Sequence, residues 1–203
     1  MGSDLIIKKL SISHAVDVVE IHSRAMPDDV LPCFGHKFLC GYYRRVLHET
    51  NAELFGVIYF DKVIGFCLVS STSSGLMNII LSKQGIFQLG KLILTKPKFF
   101  ILGLIQALKR SKCSENSAEI LFLAVDPRYQ KKGFGSALLS HVNKWCKHNG
   151  FLFLQTKTSN QLLQNYYLNK FEAVLTKRYN LFGRNYFELK WSTSIRAENS
   201  CVD

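Results

Sequence analysis

Residues 125–139 read VDPRYQKKGFGSALL and follow directly on the run EILFLA at 119–124. That run has the length and apolar character of a buried strand. The residues after Gly133 open a helix that the pattern carries to about His148. Gly133 and Gly135 therefore stand where a strand turns into a helix, with Lys131 and Lys132 just ahead of them. Amides in the first turn of a helix have no internal partners, and the dipole there favours negative charge. Glycines remove the side chains that would hold a phosphate away from those amides. The lysines add positive charge, and the stretch reads as a cradle for a pyrophosphate.

Two common phosphate loops do not fit it. A Walker loop needs G-x-x-x-x-G-K-[ST], a spacing that occurs nowhere in the chain. The dinucleotide fingerprint G-x-G-x-x-G fails at its third glycine, where Leu138 stands, and Gln155 and Lys157 occupy the place of its acidic residue. Tight strand–helix packing without a ligand is the remaining bland use of the glycines.

Outward from this turn, the chain alternates strands and helices. A strand at 5–10 is followed by a helix capped by Ser13 and running to about Arg24, with Val16, Val19 and Ile21 among its apolar positions. The segment MPDDVLPCFG at 26–35 reads as a loop, and a helix follows over about 37–48. Runs at 54–60 and 63–70 flank Asp61-Lys62 as a hairpin. Beyond the glycine helix come a strand at 151–156, a helix near 160–169, and strands around 172–179 and 185–191. The order indicates a layered α/β domain with a mixed sheet. A single domain over 1–191, with a helical insertion at 76–116 and a polar tail at 192–203, is expected.

The 203 residues are 47% apolar, enough for a sizeable core. Lys and Arg number 26 against 15 Asp and Glu, a net charge of +11 that suits an anionic partner. Nucleic acid is set aside, because bases are usually held by exposed aromatics and the aromatics here lie in apolar runs. The six cysteines show no C-x-x-C spacing, and residues 1–10 lack a basic start with an apolar stretch behind it. Free thiols, no metal and a cytoplasmic location are expected. A membrane span needs roughly 20 apolar residues, and FFILGLIQAL at 99–108 is bounded by Lys98 and Lys109. The apolar, lysine-dotted segment 76–110 leaves peripheral membrane contact open, as well as packing against a second subunit in a homodimer.

The motif Q-x-x-G-x-G at 130–135, preceded by a strand ending in VDP, resembles the acetyl-CoA-binding motif [QR]-x-x-G-x-[GA] of GNAT N-acetyltransferases. The resemblance continues through FLFLQT, Asn160, a tyrosine pair and Phe171, and covers about residues 119–171. It implies the GNAT fold, a central, mostly antiparallel sheet flanked by helices, here with the helical insertion before the cofactor strand. It implies that the backbone of Leu123, Ala124 and Val125 pairs with pantetheine as another strand. It further implies that the turn from Gln130 through Lys131, Lys132, Gly133, Phe134 and Gly135 to Ser136 holds the pyrophosphate, and that Asn160 bonds the pantetheine arm.

A tyrosine on the following helix would act as general acid, since a phenol suits a thiolate of comparable basicity. Counting back from Phe171 selects Tyr166; counting on from Asn160 selects Tyr167. Lys170-Phe171 replaces the family's usual Gly-Phe and the segment is one residue shorter, so both stay open, with Tyr166 preferred. Glu119, at the start of the cofactor strand, is the expected base. Glu53, Asp28, Asp29 and His36 are weaker candidates. The acceptor is expected to be a small-molecule primary amine such as an amino sugar or envelope precursor, a view that YYRR at 42–45 encourages. A protein or peptide amine and a non-catalytic acyl-CoA-binding module are the alternatives. Replacing Gly135 by Asp should abolish acetyl-CoA binding, read as loss of heat in calorimetry, because a carboxylate would enter the phosphate site.

Overall fold

The run that precedes the glycine turn forms the middle strand of a seven-stranded sheet. A computed structural model of the chain describes residues 5–48, 51–71, 116–181 and 183–194. Its strands are β1 (Leu5–Lys9), β2 (Ala52–Tyr59), β3 (Lys62–Ser70), β4 (Ser117–Val125), β5 (Phe153–Thr158), β6 (Val174–Leu181) and β7 (Arg184–Ser192). Their order is β1-β2-β3-β4-β5-β7-β6, and every pairing is antiparallel except β4 with β5. The mixed, mostly antiparallel sheet expected from the sequence is present. The expected insertion, apart from Asn116, and the tail beyond Ser194 lie outside the described residues, as does the membrane contact suggested for 76–110. No described helix is long and apolar enough to cross a membrane.

Alternating side chains divide the core between the two faces of the sheet. On one face, Leu138, Leu139, Val142 and Cys146 of α4 (Phe134–His148) and Tyr167 and Phe171 of α5 (Gln161–Phe171) pack on Ile120, Leu154 and Leu189. On the other, Val18 and Val19 of α1 (Ala15–Ala25) and Leu39, Tyr42 and Tyr43 of α3 (His36–Val46) pack on Leu54, Phe66 and Leu68. The short α2 (Val30–Cys33) bridges α1 to α3. Burying one side chain of the Leu or Phe class contributes about 1.5–3 kcal/mol, so both layers are strongly held.

Several boundaries differ from the sequence reading: β4 begins at Ser117, two residues before Glu119, β6 begins at Val174, and the 26–35 loop holds α2. Three further differences have a local reason. Ser13 does not cap α1. A 3-10 turn at Ile12–His14 comes first, and the Ser11 N–H donates to His14 Nδ1 at 3.2 Å. Val16 consequently falls on the exposed side of α1, while Val19 and Ile21 are buried. The β2–β3 turn is made by Phe60 and Asp61, at φ of 45° and 58°, one residue earlier than Asp61-Lys62. Strand β5 starts at Phe153 because residues 151–152 are still leaving α4: the Phe151 N–H donates to Cys146 O, and Gly150 sits at φ 80°.

Two contacts fix the end of β4. A Cβ on Gly65 would lie 3.0 Å from Ala124 O and 3.1 Å from the Val125 side chain, so β3 and β4 meet closely only because residue 65 is glycine. Asp126, 2% exposed, caps the 3-10 turn Pro127–Tyr129 by accepting from Arg128 N at 3.0 Å. Its carboxylate also accepts from Arg128 Nη2 at 2.8 Å and from Arg24 Nη1 of α1 at 2.7 Å. The Arg128 hydrogen bonds are the main cause that holds this carboxyl down at about 2, with the charges of Arg128 and Arg24 adding to it. A depressed carboxylate stabilises the fold above its unfolded pKa near 4 and loses that contribution as pH falls toward 2. Asp126→Asn should destabilise the protein by about 1–3 kcal/mol at pH 7 in urea titrations, and the difference from the parent should shrink as the pH is lowered through 4 to 2.

Candidate active site

Strand β4 has two neighbours that diverge. It stays with β3 as far as Gly65↔Val125. With β5 it shares only four residue pairs, from Ser117↔Phe153 to Ile120↔Thr156. Strand β5 meanwhile follows β7 to Thr158↔Phe187. The parting begins at a bulge: Ile120 faces Val69 and Phe122 faces Leu68, which leaves Leu121 as the extra residue. A bulge bends its strand and increases the local twist. The backbone of residues 121–125 is thus left without a strand partner on the β5 side, a ready template for an extended ligand.

The gap opens into a cavity of about 1050 Å³ that runs from one face of the sheet to the other. On the α4–α5 face it is lined by Leu123, Gly133, Phe134, Gly135, Ser136, Asn160 and Tyr166; on the opposite face by Asp28, Asp29, Phe122, Tyr179, Arg184 and Tyr186. Glu119 lies at the junction. In the turn before α4, Gly133 is left-handed at φ 81° and Lys131 at φ 62°. The first helical bond runs from Ala137 N to Gly133 O at 3.0 Å, so the amides of Gly135 and Ser136 precede it and face outward. A Cβ on Gly135 would meet only Val125 Cγ2, at 3.7 Å, and the approach to these amides is open.

The side chains of the turn divide their work. Gln130 donates to Val125 O at 2.9 Å and so fastens the loop to the end of β4. Lys131 borders the cavity, whereas Lys132 sits 5.6 Å from the centre of the Tyr129 ring and outside the lining. Asn160 is the N-cap of α5; its Oδ1 accepts from Leu162 N at 2.9 Å and Leu163 N at 3.2 Å, which leaves its amide nitrogen for a ligand.

The two tyrosines of α5 have different surroundings. Tyr167 is 1% exposed, stacks on Trp191 with centroids 5.2 Å apart, and is hydrogen-bonded with Thr156. Burial pushes its phenol far above the ordinary range. Tyr166 is half-buried on the cavity wall, and its Oη is shielded from solvent with no hydrogen-bond partner among the described residues. A buried hydroxyl without a partner costs about 1–3 kcal/mol. A ligand atom in the gap would relieve that cost. Coenzyme A fits this set of groups: an unpaired strand edge for its arm, outward amides and Lys131 for its diphosphate, and an unmet phenol at its reactive end.

The family model described as the acetyltransferase (GNAT) family matches residues 16–171. The chain belongs to that family. Solved structures agree at the level of the fold. The ribosomal-protein-S18-alanine N-acetyltransferase of Escherichia coli matches with a TM-score of 0.61 at 15% identity, over 98% of this chain and 99% of that one. An N-acetyltransferase, PaiA, of Thermoplasma acidophilum in complex with coenzyme A matches with 0.53 at 16%, over 93% and 99%. A spermidine N-acetyltransferase SpeG chimera from Vibrio cholerae and hSSAT matches with 0.61 at 14%, over 95% and 97%. No protein of curated function matches the sequence.

Set within the GNAT frame, the remaining candidates scatter. Glu119 is 5% exposed and reaches the cavity. Glu53 pairs with Lys9 at 2.6 Å on the β1–β2 edge, and His36 contacts Cys40 at 3.7 Å; neither lines the cavity. Tyr42 and Tyr43 are in the core and Arg44 and Arg45 are exposed, all outside the lining. Sequence reasoning missed Glu188, which is 7% exposed, lies opposite Lys157 in the β5–β7 register, and shares its sheet face with Tyr186. Their period-two spacing in NYFELKW was the available signal. It missed Tyr179 too, which stacks on Tyr186 at 5.5 Å and whose phenol is pushed up to about 12 by burial first, then by Glu188, Tyr186 and Glu119. Among the described residues no cluster of side chains could hold a metal ion. Gly133→Ala meets no neighbour but must adopt φ 81°; it should cost about 1–2 kcal/mol in thermal or urea unfolding and weaken coenzyme A binding, whereas Gly135→Ala should leave stability nearly unchanged.

Proposed function

We propose that the protein transfers an acetyl group from acetyl-CoA to a primary amine of a small molecule. The observation that carries the reading is the buried, partnerless Tyr166 hydroxyl in the gap where β4 leaves β5. Acetyl-CoA supplies an activated thioester. The chain's own groups supply the rest. The unpaired main chain of residues 121–125 aligns the acyl arm, and its N–H groups stabilise the oxyanion that develops on the carbonyl. Outward amides of α4 and Lys131 neutralise the diphosphate. Glu119, directly or through water, takes the proton of the attacking amine. Tyr166 donates its proton to the departing sulfur.

The acceptor side of the cavity favours a small molecule over a folded chain. Arg184 Nη2 of β7 reaches Asp28 Oδ2 at 3.3 Å, an ion pair that spans the mouth from the β6–β7 turn to the loop before α2. The amino-sugar reading drew on YYRR and on the segment 76–110; Arg44 and Arg45 stand away from the lining, and 76–110 lies outside the described residues, so a sugar or an envelope precursor gains no support from the described site. Cys67 and Cys146 in the core are free and buried, which suits a reducing, cytoplasmic setting.

The test has two stages. Coenzyme A should raise the melting temperature of the protein, and absence of any upshift would remove the donor half of the proposal. With a panel of primary amines, Tyr166→Phe should lower the rate of coenzyme A release about 100-fold or more while the thermal upshift persists. Tyr167→Phe should leave the rate within a few fold and lower stability. Equal rates for Tyr166→Phe and the parent would point to a binding module or to a different acid.

A further inference from the structure

The mechanism above leaves unused a fully buried histidine. His22, on α1, is 0% exposed, and its ring packs against Phe122 with centroids 4.8 Å apart and against Phe66 at 6.0 Å. Nδ1 has a hydrogen-bond partner, whereas Nε2 is buried with none among the described residues and only approaches a carboxylate. Nδ1 lies 2.6 Å from Tyr43 Oη on α3, and Nε2 lies 3.4 Å from Asp29 Oδ2 in the loop before α2. Tyr43 is itself 0% exposed, and burial, then the charges of Tyr42 and Asp29, push its phenol well above the ordinary range. A hydroxyl that donates to Nδ1 leaves the ring proton on Nε2, the atom that faces Asp29.

Asp29 is where this chain of contacts meets the cavity. It lines the acceptor side, with its side chain 28% exposed. Its neighbour Asp28 is turned the other way, to Arg184. The Asp29 carboxylate thus stands in front of a buried imidazole nitrogen that has no hydrogen-bond partner among the described residues, on a ring anchored from behind by Tyr43. A buried polar pair on the wall of an apolar core is costly to keep unless its geometry is used.

We infer that Asp29 binds a positively charged group of the acceptor, with His22 and Tyr43 as the positioning residues that orient it, so that the acceptor class is a cationic amine. The inference rests on the acetyl-transfer reading of the cavity but concerns a different wall of it. Asp29 contributes charge and direction; Glu119 and Tyr166 keep the proton transfers. An ammonium entering between the 26–29 loop and the β6–β7 strands meets Asp29 before it reaches the gap, and a neutral or anionic acceptor gains nothing there.

The probe is 1,4-diaminobutane, titrated into the full chain saturated with coenzyme A. Long-range ¹H–¹⁵N spectra of the imidazole should show His22 with its proton on Nε2, and the diamine should shift that signal to saturation. Tyr43→Phe should mix the tautomers. Asp29→Asn should weaken the diamine about tenfold or more, the loss of one directed charge contact, with coenzyme A binding unchanged. His22→Gln, which keeps an N–H near the Nε2 position, should stay within about threefold of the parent, whereas His22→Leu should fall with Asp29→Asn. Should the leucine variant fail to fold, the ring signal and Asp29→Asn still decide the matter. A diamine that leaves the His22 signal unmoved, or that binds Asp29→Asn as well as the parent, overturns the inference. Failure of coenzyme A to bind the parent would instead sink the proposed function and is read before any diamine is added.

Discussion

The parting of β4 from β5 is the constraint on which the site depends. Parallel neighbours in a sheet ordinarily run together for their whole length, each satisfying the main chain of the other. Here they share four residue pairs, because β4 is bent at Leu121 and held to β3 while β5 is held to β7. Exposed strand edges invite pairing with other chains. In this molecule the edge is short, recessed between α4 and α5 on one side and the 26–29 loop on the other, and open to a ligand of extended shape. The bulge, the Gly65 contact and the Asp126 cluster all act on the same strand. Together they set where the opening begins and where it ends.

Because the opening passes through the sheet, the two substrates of the proposed reaction approach from opposite faces. The α4–α5 face offers amides and a lysine, and the other offers carboxylates, aromatic rings and one arginine. Charge is thereby sorted without any large separation of the elements that carry it. The net charge of +11 says little about either face, since most of the lysines and arginines among the described residues lie outside the cavity lining.

The cofactor half was legible in the sequence because it depends on local signals. A strand, a turn with left-handed residues and a helix N-terminus are written within residues 119–136, and their spacing is nearly the whole of the geometry. The different surroundings of Tyr166 and Tyr167 follow from which ring reaches Trp191, a contact between residues 24 positions apart that no local pattern encodes. The acceptor half is of this second kind throughout. His22, Tyr43 and Asp29 lie on three separate elements, and Glu188 and Tyr179 come from a terminal strand pair. Read singly, His22 is a histidine on an apolar helix face and Tyr43 a core aromatic. Only packing of α1 on α3 brings them to 2.6 Å.

A site of the proposed kind, with its donor held by peptide groups, has a bearing on how such sequences drift. Amide nitrogens belong to every residue but proline, so substitution along β4 or at the start of α4 leaves them in place provided the backbone path survives. The positions that set the path are the ones that constrain shape, such as Gly65 with its close β4 contact and Gly133 with its positive φ. Chains that agree at only 12 to 16% of positions can in this way keep one architecture. The side-chain-built wall opposite is free to be rewritten for each new acceptor.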